Sequence, residues 1–170
     1  TKKLLLCRDR VGVKPMYWYQ KGDLFMFASE LKAFHAHPGF DKKIDHDAVS
    51  LYLQTGYIKA PYCIFSYVHK MLPGSFLELD SNGQINTWKY WDVREQYLSA
   101  EINSKSDDEL IKECESLLRE SFQLRMVADV PVGMFLSGGI DSSIVTALLQ
   151  EQSTIPLNTF TIGFDDPKYN

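Results

Sequence analysis

The hydrophobic positions change their rhythm about two thirds of the way along the chain. Leu4-Leu5-Leu6-Cys7 is a short continuous apolar run and reads as a buried strand. Tyr17-Trp18-Tyr19-Gln20 and Leu24-Phe25-Met26-Phe27-Ala28 flank Lys21-Gly22-Asp23, a connection of hairpin length. Ser29 to Phe34 opens on a capping residue and continues in good helix formers, and His37-Pro38-Gly39 stops it. Asp45 precedes a helical stretch whose apolar face is Ala48, Val49, Leu51, Tyr52 and Leu53, ending near Gly56. Ala60 to Gly74 reads as loop. Phe76 to Asp80 and Gln84 to Trp88 then alternate around Ser81-Asn82-Gly83, the strongest hairpin signal in the chain.

After about residue 98 the spacing becomes helical. Ser99 to Lys105 is polar and predicts a linker. Ser106 followed by Glu109 is a capping box. Leu110, Ile111, Cys114, Leu117, Leu118, Phe122 and Leu124 continue it as the stripe of an amphipathic helix. Val130 to Leu136 predicts a buried strand, with Pro131 near its start, where a missing N–H is tolerated. Ser137-Gly138-Gly139 turns the chain, Asp141 to Gln150 predicts a second helix, and Leu157 to Ile162 a second strand. This βαβ order favours a parallel sheet with a right-handed crossover.

Composition narrows the picture little. In 170 residues, 45% are hydrophobic and 24% charged, which suits a packed core. A net charge of −4 argues against a nucleic-acid partner. It leaves phosphate ligands open, because backbone N–H groups can hold them. No apolar run reaches the roughly 20 residues that cross a bilayer. The three cysteines, Cys7, Cys63 and Cys114, have neither disulfide nor zinc spacing and read as reduced, buried or half-buried thiols of a cytoplasmic protein. His35, His37, His46 and His69 show no catalytic or metal spacing. The start without Met and the close on Asp165 to Asn170 read as an internal piece of a longer protein.

The chemistry concentrates at Ser137-Gly138-Gly139-Ile140-Asp141-Ser142. A phosphate needs converging N–H donors and little bulk. A strand end followed by Gly138-Gly139 lets the backbone approach closely, and the helix starting near Asp141 presents free N–H groups and a positive dipole end. Ser137, Ser142 and Ser143 add hydroxyls. Asp141 beside a polyanion calls for a bridging cation, and Mg²⁺ with oxygen ligands is suited to it. A tight strand-to-helix connection capped by Ser and Asp is the plainer account of a Gly-Gly turn. The full hexapeptide in its strand–helix setting resembles the phosphate loop of the PP-loop ATP-pyrophosphatases. It has neither the Walker Gly-Lys-Ser/Thr nor GxGxxG. That resemblance implies cleavage between the α- and β-phosphates of ATP and an adenylylated substrate.

The run Asp129 to Ser143, with Thr159-Phe160-Thr161-Ile162-Gly163-Phe164, is similar to the glutamine-hydrolysing asparagine synthetases. Arg8-Asp9-Arg10-Val11-Gly12-Val13-Lys14-Pro15-Met16-Tyr17 and Phe27 to Ala33 resemble the later part of an N-terminal-nucleophile glutaminase domain, also found in amidophosphoribosyltransferase. Gly56 to Pro61 and Leu72-Pro73-Gly74 narrow this to the asparagine synthetase type. The resemblance implies an α/β chain of two partial domains. Residues 1–98 would be the tail of an αββα glutaminase domain, 99–106 a linker, and 107–170 the first βαβ unit of a parallel-sheet PP-loop synthetase domain. It implies ATP and Mg²⁺ as cofactors and aspartate, glutamine and ammonia as small-molecule partners. It further implies no nucleic acid, no membrane, a cytoplasmic setting and a homodimeric parent. The nucleotide-binding residues it implies are Leu136, Ser137, Gly138, Gly139, Asp141, Ser142, Ile162 and Gly163, with Asp141 toward Mg²⁺. Leu136 and Ile162 would flank the adenine, although sheet-core packing accounts for two apolar residues equally well.

The same resemblance places the glutaminase nucleophile, an N-terminal cysteine, upstream of this sequence. Cys7 does not match it and reads as a core thiol. Arg8 and Asp9 read as strand-and-turn residues, with Arg8 able to pair a carboxylate, and Glu30 as a helix N-terminal acid. The isolated piece is expected to be inactive. Two other readings stay open: a related PP-loop amidotransferase or synthetase with a different acceptor, and an inactive nucleotide-binding fragment.

Overall fold

The computed structural model of the chain describes residues 2–100, 104–166 and 168. It is a mixed α/β structure with small sheets, and it divides into two compact units, residues 1–101 and 102–170.

The first unit holds β1 (Leu4–Cys7), β2 (Tyr17–Lys21), β3 (Leu24–Ala28), α1 (Leu31–Phe34), α2 (His46–Thr55), β4 (Val68–Lys70), β5 (Ser75–Leu79), β6 (Ile85–Lys89) and α3 (Val93–Ser99). The strands form two antiparallel sheets, ordered β1-β5-β6 and β3-β2-β4. Both predicted hairpins form, β2 with β3 and β5 with β6. Side chains from both sheets meet in one cluster, where Leu6, Leu77 and Met71 are buried against Trp18 and Phe25. A second cluster gathers Tyr19, Phe34, Phe40, Cys63 and Val68. Tyr19 and Leu77 are fully enclosed.

The second unit holds α4 (Asp107–Leu124), β7 (Gly133–Phe135), α5 (Ile140–Gln152) and β8 (Asn158–Phe160). The α4 capping box closes from both sides, with the Ser106 amide donating to Glu109 Oε2 at 2.8 Å and the Glu109 amide to Ser106 Oγ at 3.4 Å. Arg119 ties α4 to α5 by pairing with Glu115 and Glu151. β7 and β8 run parallel, in register from Gly133 opposite Asn158 to Phe135 opposite Phe160, with α5 between them in sequence.

Several local expectations are corrected. The stretch expected as loop contains β4, an edge strand too short for a period-two signal, which pairs with β2. α3 was not expected; Asp92 starts it by accepting from the Arg94 amide. Residue 30, not Ser29, occupies the N-cap of α1, and its side chain makes no capping bond; Glu30 pairs with Lys32 instead. Of the expected linker, Ser99 closes α3 and Ser106 caps α4, while residues 101–103 lie outside the described residues.

Burial departs further. In β1 only Leu6 is buried, because alternation turns Leu5 and Cys7 to the other face. Cys7 is therefore an exposed thiol; Cys114, on α4, is exposed as well, and Cys63 is buried. β7 is shorter than its apolar run, and Val130 and Phe135 are 71% and 78% exposed. The ladder to β8 pairs one edge of β7 and covers neither of its faces.

Arg8 is an organiser of loops and, among the described residues, pairs no carboxylate. Its guanidinium donates to the carbonyls of Lys14 and Gly12, each at 3.0 Å, and to that of Met71. The Asp9 carboxylate accepts from the amides of Val13 and Lys14, which holds its pKa below the ordinary carboxylate value. Two of the histidines make structural contacts. His35 packs on Phe40 and Phe65, and His37 Nδ1 accepts from the Gly39 amide.

His69 stacks on Trp18 with ring centroids 4.3 Å apart, and burial lowers its pKa below 6.5. A histidine whose folded pKa is depressed disfavours the proton that the unfolded chain accepts. The first unit should thus lose stability as pH falls below about 6.5. Urea melts between pH 5 and 7.5 check this: His69→Gln should flatten the slope, and an unchanged slope would refute the assignment.

Candidate functional site

The candidate site is the connection from β7 to α5. Gly138 sits at φ +78°, the left-handed region, and a Cβ built there would meet nothing within 4 Å. Its need for glycine is conformational. Gly139 is extended, at φ −75° and ψ 162°, and is the N-cap of α5 without any side-chain cap. The amides of the first helical turn therefore have no intrahelical acceptor and no capping side chain. Thirteen residues of helix stand behind them, enough for the N-terminal partial charge to favour an anion.

Internal hydrogen bonds shape the loop. The Ser137 amide donates to Ser142 Oγ at 3.3 Å, and the two hydroxyls lie 3.1 Å apart. Ser142 and Ser143 both donate through Oγ to the Gly139 carbonyl, at 3.1 and 2.8 Å. The structure thus brings Ser137, Gly139 and Ser142 into one bonded loop. Gly138 forms its bend, and Asp141 stands exposed in the first turn of α5.

Leu136, half-buried, lies one residue past β7, and its amide donates to the Phe160 carbonyl at 2.9 Å. Ile162 and Gly163 follow β8 and are exposed, Ile162 by 76%. An ordinary place in the sheet core therefore does not account for Ile162. Leu136 and Ile162 lie just beyond the C-terminal ends of two neighbouring parallel strands, where ligands of open α/β sheets bind. Nothing in the hydrophobic pattern singles out Thr161 between them, yet its Oγ1 donates to the Leu136 carbonyl at 2.7 Å.

Among the described residues no group of three or more His, Cys, Asp and Glu side chains could hold a metal ion. Asp141 offers one hard oxygen donor group, which suits Mg²⁺ only when phosphate oxygens and water complete the coordination. No helix among the described residues is long and apolar enough to cross a membrane.

Comparison with known proteins finds a family match within each unit. Residues 1–91 match the glutamine amidotransferase domain family, and residues 113–170 match the asparagine synthase family. The chain belongs to the glutamine amidotransferase domain family. Asparagine synthetase (glutamine-hydrolysing) 3 of Bacillus subtilis is 33% identical over 96% of this chain and 26% of its own length. A Methanocaldococcus jannaschii protein, named provisionally as a second glutamine-hydrolysing asparagine synthetase, is 41% identical over 96% of this chain and 32% of its own. Amidase chyE of Penicillium rubens is 32% identical over 96% of this chain and 25% of its own. The chain spans between a quarter and a third of the length of these curated relatives.

Proposed function

We propose that this chain is part of a glutamine-dependent, ATP-consuming asparagine synthetase. Residues 1–98 would belong to the glutaminase domain, 99–106 would link the domains, and 107–170 would open the PP-loop synthetase domain with its first βαβ unit. The observation that carries the reading is the succession, in one chain, of a glutamine amidotransferase match and an asparagine synthase match containing the loop.

In this reading the free amides from Gly138 to Ser142 hold the phosphates of ATP, and the seryl hydroxyls add donors. Leu136, Ile162 and Gly163 border the adenosine. Mg²⁺, held between Asp141 and phosphate oxygens, would neutralise charge that the amides alone cannot. An oxygen of the aspartate side-chain carboxylate attacks the α-phosphorus, the bond to the β-phosphate breaks, and pyrophosphate leaves with its electron pair. Ammonia from glutamine then attacks the acyl carbon of the adenylate and expels AMP. Activation is needed because a carboxylate oxygen is a poor leaving group until it is adenylylated. The reading supplies the cytoplasm as the setting.

The test uses the full-length protein with glutamine, aspartate and Mg²⁺-ATP. Stoichiometric AMP, pyrophosphate and asparagine are expected; no AMP release would overturn the reading. The similarity to amidase chyE favours one further reading, a different acceptor on the same machinery. ATP-dependent AMP release with glutamine and some other carboxylate, but not with aspartate, would select it.

A further inference from the structure

We propose that Thr161 is a positioning residue for the phosphate loop, its hydroxyl fixing the carbonyl from which Ser137 and Gly138 leave the sheet. The proposal rests on the reading of Ser137 to Ser142 as the phosphate site of ATP.

Leu136 is the last residue before the loop, and both of its backbone polar groups are anchored on the end of β8. Its amide donates to the Phe160 carbonyl at 2.9 Å. Its carbonyl accepts from Thr161 Oγ1 at 2.7 Å. In a regular parallel ladder, a residue whose amide bonds residue 160 gives its carbonyl to the amide of residue 162. Among the described residues that ladder bond is not made, and β8 ends at Phe160. The Thr161 hydroxyl replaces it. One side chain therefore does two things: it keeps the loop entry fixed where the ladder has stopped, and it leaves the Ile162 backbone outside the ladder.

The consequence falls on the ligand and not on the fold. Thr161 is exposed, so losing its hydroxyl removes one surface hydrogen bond. The amides that would meet the phosphates hang from the carbonyl it holds, and small displacements of such donors weaken binding. Valine has the same shape and cannot donate; serine can.

The experiment measures AMP release by the full-length protein with aspartate and ammonia, so that glutamine hydrolysis does not enter the readout. Thr161→Val should raise KM for ATP about threefold to tenfold, the scale of one hydrogen bond. kcat should change less than KM, KM for aspartate should hold, and Thr161→Ser should restore the wild-type KM. Thr161→Ala serves as a second variant if Thr161→Val does not fold. An unchanged KM for ATP in active, folded Val and Ala variants overturns the proposal. So does an equal shift in the Val and Ser variants. A wild-type protein that releases no AMP fails the underlying reading instead, which keeps the two failures distinguishable.

Discussion

Gly74→Ala should destabilise the first unit by about 3 kcal/mol or more, the sum of a left-handed backbone penalty and an unrelieved clash. Gly74 stands at φ +62°, and a Cβ there would come inside 3.0 Å of the Trp91 carbonyl oxygen. That neighbour is backbone and cannot swing aside. The glycine is also a junction: its amide donates to the Asp9 carbonyl at 2.9 Å, and its carbonyl accepts from the amides of Tyr90 and Trp91 at 2.8 and 3.2 Å. Moving it disturbs the Arg8–Asp9 turn and the approach to α3 together. Gly22→Ala is the matched control, since Gly22 also has positive φ (+57°) but nothing within 4 Å of the added carbon. It should cost about 1–2 kcal/mol. Chemical denaturation of both variants decides the matter, and equal losses would mean that the clash with Trp91 is not felt.

Asp141→Asn in the full-length protein should lower AMP release by roughly two orders of magnitude, because charge neutralisation by a metal is worth several kcal/mol in such transfers. The sign makes this a sharp test. If Asp141 faces the phosphates without a cation between them, removing its charge relieves repulsion, and ATP should bind more tightly. If it holds Mg²⁺, the variant should need more Mg²⁺ and turn over slowly. Asp141 is exposed, so the circular dichroism spectrum should not change, and stability should fall by no more than the few tenths of a kcal/mol that a first-turn acid contributes to a helix. Wild-type activity with an unaltered Mg²⁺ requirement would remove Asp141 from the site.

The elements legible in the sequence were those whose signal is local. Two hairpins followed from local patterns, apolar runs flanking Lys21-Gly22-Asp23 and alternating runs around Ser81-Asn82-Gly83. The start of α4 followed from a serine and a glutamate three residues apart, which bond each other wherever a helix begins. The helical stretch after Asp45 was legible too, and the structure makes Asp45 its N-cap, the carboxylate accepting from the amides of Asp47 and Ala48. β4 and α3 were not legible. A three-residue edge strand is defined by its partner β2, and α3 has seven residues and buries none of them, so it carries no apolar stripe to read. Arg8 was placed correctly in a turn but with the wrong partners. Which carbonyls a guanidinium finds depends on chain segments far away, here Met71.

At the candidate site the division is the same. Residue order alone determined that a glycine turn would join an apolar strand to a helix, and that helix amides would stand open there, because φ freedom and helix-end donors are properties of neighbouring residues. Only the tertiary structure decided that Gly138 and not Gly139 takes the left-handed conformation, that Ser142 closes the loop onto Ser137, and that Thr161 holds Leu136 from the neighbouring strand. The last contact joins residues 25 positions apart in sequence. It exists because β7 and β8 pair in parallel and in this register, and no local preference of either segment specifies that register.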